Sequence, residues 1–274
     1  MIMLQECQEA ELKSRAKVIP LARRPSMDDA LFEIDGLTKI FPVGDSCLTV
    51  LDEVGFQVSR GELICIIGRS GCGKSTLLKI LAGFIAPSSG KVLLCGDNVT
   101  RPGPDRCMVF QEDALFPWLT VGENVALGLR GKGLGRKEVR QQVDRYLSLV
   151  GLREFHHYLP REISGGMKQR VALARVLILQ PQVLLMDEPF AALDAQTRQE
   201  MQNLLLALWE QLKHTIIFVT HDVSEAVTLA DRVLVMSKAP GRILQQLQVD
   251  LPRPRRGDHT SFIELAGKLY AALR

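Results

Sequence analysis

Two stretches of this chain carry residues of the right type and spacing to handle phosphate. Gly68-Arg69-Ser70-Gly71-Cys72-Gly73-Lys74-Ser75-Thr76 has the pattern of a phosphate-binding loop, in which glycines 68, 71 and 73 let backbone N–H groups wrap phosphate oxygens. Lys74 then reaches the β and γ oxygens, Ser75 supplies a hydroxyl to magnesium, and Thr76 adds a phosphate contact, with Ser70 and Cys72 in the same wrap. Further on, Asp187 and Glu188 end the apolar run Leu184-Leu185-Met186 and are followed by Pro189. Two adjacent carboxylates at a strand end divide the work. Asp187 holds magnesium, directly or through water, while Glu188 polarises the water that attacks the γ-phosphate.

A third stretch, Ile163-Ser164-Gly165-Gly166-Met167-Lys168-Gln169-Arg170, reads as the start of a helix. Ser164 is a cap, Gly165 and Gly166 allow close backbone approach, and Met167, Val171, Ala174 and Ile178 continue at helical spacing. Its exposed N–H groups favour an anion, but one helix end contributes only about 0.3 to 2 kcal/mol, whereas even millimolar binding needs roughly 4 kcal/mol. The segment must assist a site built elsewhere.

These residues need elements to place them. Leu63-Ile64-Cys65-Ile66-Ile67 is a buried strand leading through the glycine loop into a helix with Leu77, Leu78, Ile80 and Leu81. Apolar runs at Val183 to Met186, Ile216 to Val219 and Val233 to Met236 alternate with helical segments, one carrying Met201, Leu204, Leu205, Leu208 and Leu212. That alternation predicts an α/β fold with a mainly parallel sheet, whose strand ends are the place for ligands. Residues 31 to 58 alternate in short stretches and predict a strand-rich edge, and about 112 to 178 read as consecutive helices inserted into the core. Leu251 to Gly257 is a loop before an amphipathic helix with Phe262, Leu265, Ala266, Leu269 and Leu273. Residues 1–30 mix acidic and basic side chains without an apolar period and read as a tail, with Met27 an alternative start. The expected organisation is thus 1–30 arm, 31–250 core domain and 251–274 C-terminal loop and helix.

The 274 residues suffice for one large domain with an inserted subdomain, and 46% hydrophobic content excludes a disordered chain. A net charge of +3 with dispersed basic residues argues against a nucleic-acid partner. Six cysteines without a Cys-x-x-Cys pair fit a reducing compartment, and no apolar run reaches the roughly 18 residues of a membrane span. A membrane link would come through a partner.

Taken together and in this order, the motifs resemble the ATP-binding-cassette (ABC) ATPases, from Leu31 to about Ile243. The resemblance implies a P-loop core with mainly parallel sheet, antiparallel β edge and inserted helical subdomain, with ATP and Mg2+ as ligands. It also implies roles for residues that spacing alone leaves mute. Gln111, after Met108-Val109-Phe110, is similar to the glutamine that senses magnesium and the attacking water. His221 is similar to the switch histidine that contacts the γ-phosphate, and Asp194 to the loop that crosses between protomers. Phe41 resembles the aromatic that stacks on adenine, with Phe32 or a core role as the alternative. Ser164, Gly165 and Gly166 would then close the site of a second copy of the chain. Ile163, Lys168 and Ala192 depart from the family's usual leucine, glutamine and serine without removing a catalytic group. Cys72, inside the phosphate loop, is expected to make hydrolysis sensitive to thiol reagents, with Mg-ATP protecting.

Phe116-Pro117-Trp118, Asn124 to Leu129, Ala239-Pro240-Gly241-Arg242-Ile243 and Pro252-Arg253-Pro254 are similar to the nitrate, sulfonate and taurine importer branch. That likeness implies transmembrane permease subunits docked at Phe116 to Val121, a periplasmic or surface substrate-binding protein as an indirect partner, and a peripheral position on the cytoplasmic face of the inner membrane. The alternative use for Phe116 and Trp118 is packing inside the helical subdomain. A soluble ABC protein acting on ribosomes or DNA is the competing class; such proteins usually have two cassettes or a long coiled-coil insertion.

Overall fold

The structure, a computed structural model, describes residues 30–112, 114–255 and 257–273. Most of the charged N-terminal arm, Met27 included, lies outside the described residues.

Strand β3 (Leu63–Ile67) is buried along its whole length, which is why its sequence is continuously apolar. It sits inside a six-stranded sheet of order β10-β9-β3-β8-β7-β6, formed with β6 (Arg106–Val109), β7 (Val183–Asp187), β8 (Thr215–Thr220), β9 (Arg232–Met236) and β10 (Ile243–Gln248). All neighbours in it are parallel except the edge pair β9 and β10. A second, antiparallel sheet has the order β2-β1-β4-β5, from β1 (Ala30–Val43), β2 (Ser46–Ser59), β4 (Ser89–Leu94) and β5 (Asp97–Asn98).

The period-two alternation of β3 divides the core. Ile64 and Ile66 join a cluster with helix α1 (Lys74–Leu81) and the inner face of the antiparallel sheet, through Leu77, Leu78, Phe32, Val54 and Phe56. Leu63, Cys65 and Ile67 face the opposite cluster, which holds the remaining helices. Between β6 and β7 run α2 (Val121–Ala126), α3 (Arg136–Leu149) and α4 (Gly165–Leu177), the helical insertion expected from the sequence. Helix α5 (Ala195–Leu212) joins β7 to β8, α6 (Val223–Leu229) joins β8 to β9, and α7 (Thr260–Ala272) buries Phe262, Ala266 and Leu269 in the same cluster.

Ahead of α7, Arg253 and Arg255 lie outside regular structure, yet both are internal fasteners. Arg255 donates to four carbonyls: Val227 at 2.8 Å and Ala230 at 2.5 Å near the end of α6, Val249 at 3.0 Å and Leu251 at 2.9 Å. Arg253 pairs with Asp231 at 2.9 Å, bonds the Leu229 carbonyl and lies 4.6 Å from the Trp209 ring centre. The two guanidinium groups satisfy the free carbonyls of a helix C-terminus, where a cation is also favoured by the helix dipole. Burial pushes the Arg255 guanidinium down to about 10, so it stays charged at neutral pH. Arg255→Met leaves those carbonyls unpaired. It is expected to lower the unfolding free energy by about 2 to 4 kcal/mol, read from the denaturant midpoint; a loss under about 0.5 kcal/mol would contradict the fastening role.

Candidate functional site

The C-terminal ends of three neighbouring strands, β3, β8 and β7, converge on one point. The loop leaving β3 enters α1 at Gly73, whose φ of 99° is left-handed and open to glycine, and a Cβ there would meet the Val50 carbonyl at 3.0 Å. Lys74, 5% exposed, donates to the carbonyls of Gly68 at 2.8 Å and Arg69 at 3.3 Å and lies 3.7 Å from Glu188. Ser75 Oγ donates to Asp187 Oδ1 at 2.9 Å, joining residues 112 positions apart. Thr76 follows on α1, half-buried, while Ser70 and Gly71 are exposed at the tip of the loop.

Beyond β7 the chain turns sharply. Glu188 has a φ of 45°, unusual for a side chain with a Cβ, and its N–H donates to the Val219 carbonyl of β8 at 3.0 Å. That turn points the carboxylate at both Lys74 and His221, whose Nδ1 lies 2.7 Å from Glu188 Oε2. Burial raises the pKa of Asp187, an effect opposed by the Ser75 hydroxyl.

Cys72 corrects one expectation. Its side chain is 1% exposed and turned beneath the loop, so close to Gly68 that a Cβ there would lie 2.7 Å from Sγ. Burial also raises its pKa, which suppresses the reactive thiolate. Among the described cysteines a thiol reagent therefore meets the exposed Cys47 and Cys95 first, and the expected sensitivity through Cys72 does not fit the loop as folded. Only the Cys72 backbone remains available to a phosphate.

The other expected residues make no hydrogen bond or ion pair with this cluster among the described residues. Gln111 is exposed after β6, its side chain without a hydrogen bond among the described residues, but its carbonyl accepts from Gln169 Nε2 of α4 at 3.1 Å. Ser164 caps α4 by accepting from Met167 N–H at 3.3 Å. Gly165 faces open space, and a Cβ on Gly166 would lie 2.5 Å from Thr197 Cγ2. Thr197 in turn donates its N–H at 2.9 Å and its hydroxyl at 2.7 Å to exposed Asp194, the cap of α5, and these bonds hold the Asp194 carboxyl below its usual range. Exposed Ser164, Gly165 and Asp194 thus share one patch, with Gly166 buried against Thr197 between them. Among the described residues no hydrogen bond or ion pair links it to Lys74, Asp187, Glu188 or His221.

Phe32 is fully buried, which leaves Phe41 as the accessible aromatic of β1, half-buried with Lys39 Nζ 4.9 Å from its ring centre. In the helical insertion Trp118 is 71% exposed and touches Phe116 edge-on, with ring centres 5.6 Å apart. Their loop is fastened by fully buried Asn124, which accepts from Phe116 N–H at 2.9 Å and donates to the carbonyls of Phe116, Leu119 and Thr120 at 3.0 to 3.2 Å.

Sequence reasoning passed over Glu225 and took Asn124 and Gly241 only as parts of longer motifs. Asp222 followed three residues later by Glu225 has the spacing of a helix cap with a first-turn acid, the signal that would have found Glu225. No local signal exists for Gly241, whose importance is a close approach between distant segments.

Comparison with known proteins gives a consistent picture. A family model described as ABC transporter matches residues 51–191. The aliphatic sulfonates import ATP-binding protein of Bacillus cereus is 46% identical over 236 residues, covering 86% of this chain and 93% of that one. The nitrate import ATP-binding protein of Synechococcus elongatus is 45% identical over 233 residues, with 84% and 85% covered. Among solved structures, a dimeric ATP-binding cassette in a post-hydrolysis state bound to ADP and Pi superposes with a TM-score of 0.71 at 30% identity, covering 81% of this chain and all of that one.

Proposed function

The chain belongs to the ABC transporter family as an ATP-hydrolysing, ATP-binding subunit, and from that premise we propose that it energises an importer of nitrate, taurine or other sulfonates. The observation that carries the mechanism is the division of the site. The phosphate-binding cluster and the patch of Ser164 to Gly166 with Asp194 are both well formed in one chain, and no hydrogen bond or ion pair among the described residues joins them. Two copies facing each other would bring the patch of one onto the nucleotide of the other, an ATP-sandwich homodimer.

Each residue then has a task. Lys74 releases the Gly68 and Arg69 carbonyls to engage the β and γ oxygens, Gly68 to Thr76 wrap the phosphates, and Phe41 stacks on adenine. The hydroxyl of Ser75 and the carboxylate of Asp187, hard oxygen donors 2.9 Å apart, fit Mg2+ and would hold it, with Gln111 approaching from the helical subdomain. The ion, when bound, neutralises charge on the phosphates. Glu188 orients the attacking water and accepts its proton, and His221, aligned by Glu188, contacts the γ-phosphate.

Phe116 and Trp118 serve as the docking point for the permease on the cytoplasmic face of the membrane; no helix among the described residues is long and apolar enough to cross it. An exposed aromatic pair on a loop fixed by Asn124 is a pre-ordered interface anchor. The test is reconstitution of the chain with the permease and substrate-binding protein of a nitrate or sulfonate importer. Nitrate or a sulfonate is expected to stimulate ATP turnover, and Trp118→Ala with Phe116→Ala to remove the stimulation while leaving the turnover of the isolated chain within about twofold. Stimulation by neither anion would reject the proposed cargo, and unchanged stimulation in the double variant would reject the docking point.

A further inference from the structure

Behind His221 lies a buried carboxyl that the catalytic roles leave unused. Glu225, in the first turn of α6, is 5% exposed, and both of its oxygens are engaged. Thr220 Oγ1 donates to Oε2 at 2.6 Å, and Gln202 Nε2 donates to Oε1 at 3.3 Å. The same Thr220 hydroxyl accepts the N–H of Asp222 at 3.0 Å, and Asp222 Oδ1 accepts the N–H groups of Ser224 at 2.7 Å and Glu225 at 3.3 Å. The residues immediately before and after His221 are therefore fixed through one side chain. Gln202 belongs to α5, so the same carboxyl ties this junction to the helix capped by Asp194.

The arrangement is costly for packing alone. Val223, Ala226 and Val227 around it are fully buried, and an apolar side chain at 225 would fill the space without desolvating a carboxyl. What the carboxyl adds is directional. It accepts from two elements at once and sets the angle at which the chain leaves β8, and that angle determines where the ring of His221 stands relative to Glu188 and the γ-phosphate position. A displacement of about 1 Å at such a point can cost about 100-fold in rate.

We propose that Glu225 is a positioning residue for His221, locking the backbone on either side of the histidine and tying it to α5 through Gln202. The inference rests on the reading of His221 as the γ-phosphate contact. It places a second requirement on turnover that lies outside the nucleotide site, since Glu225 touches neither the phosphate loop nor the carboxylates at the end of β7.

The test uses the full chain and Mg-ATP. Glu225→Ala is expected to lower kcat about tenfold or more with KM for ATP changed less than about twofold, because the binding loop is untouched. Glu225→Gln keeps an acceptor for Thr220 and an amide that pairs with a reoriented Gln202, and is expected to retain at least about half of kcat. Thr220→Val, which keeps side-chain shape, reproduces the loss if Glu225→Ala fails to fold. In protein with 13C-labelled histidine, the His221 ring signal, identified by its absence in His221→Asn, shifts in Glu225→Ala and Thr220→Val and returns in Glu225→Gln. A lowered melting temperature with kcat and the His221 signal unchanged would overturn the proposal. A wild-type chain without ATP turnover would instead overturn the catalytic reading beneath it.

Discussion

Glu188→Gln is expected to reduce steady-state ATP turnover by about 100-fold or more while ATP remains bound, since loss of a general base typically costs 10²- to 10⁴-fold. The substitution keeps the size of the side chain and does not alter its demand for the left-handed backbone at 188, so the turn after β7 survives. Lys74 and the loop carbonyls that release it are untouched, which preserves nucleotide affinity. What disappears is the negative charge between Lys74 Nζ, 3.7 Å away, and His221 Nδ1, 2.7 Å away, and with it the acceptor for the proton of the attacking water. Phosphate release and retained nucleotide are measured on the same preparation. Turnover within about threefold of wild type, with ATP bound, would remove Glu188 from the catalytic role.

Gly241→Ala is expected to damage nucleotide binding from outside the binding loop. A Cβ at 241 would lie 2.2 Å from the Cys72 carbonyl, 2.7 Å from Met236 Cε and 3.3 Å from Leu51 Cδ2. The methionine can move, but the carbonyl belongs to the phosphate loop itself. Gly241 cannot retreat easily either, because its N–H donates to Val50 at 2.8 Å and its carbonyl accepts from Asp52 at 3.0 Å. The clash is relieved by shifting the loop around Cys72 and Gly73, with an expected loss of about tenfold or more in ATP affinity and about 1 to 3 kcal/mol in stability. Gly267→Ala on α7 is the control, since nothing lies within 4 Å of a Cβ there and the chain should fold and bind ATP as before. Wild-type affinity in Gly241→Ala would show that the loop tolerates displacement.

The sequence made the phosphate loop, the two carboxylates and the helical start at Ser164 legible because each is a local pattern whose chemistry requires consecutive residues. The mainly parallel sheet was legible for a similar reason: buried strands such as Leu63 to Ile67 are continuously apolar. Contacts between distant segments were not. Nothing near Cys72 in sequence indicates that its thiol points under the loop toward Gly68 and Met236, and nothing near Gly241 shows that it lies against Cys72. Arg253 and Arg255 likewise read only as parts of a loop, because their partners, the carbonyls ending α6, are invisible to local patterning. Burial of Glu225 reverses the ordinary expectation that a charged residue on a helix faces water, and only its capping spacing after Asp222 hinted at a fixed role.

The division of the site between two copies is tested most directly by sedimentation velocity of the Glu188→Gln chain with and without ATP. Without nucleotide the chain should sediment as a 30.5 kDa monomer, and with ATP as a particle of twice that mass. Adding Gly166→Val, which drives a bulky side chain into Thr197 beside the capped helix start, should keep the chain monomeric in ATP while nucleotide still binds. A mass unchanged by ATP in Glu188→Gln, with nucleotide demonstrably bound, would contradict the paired site.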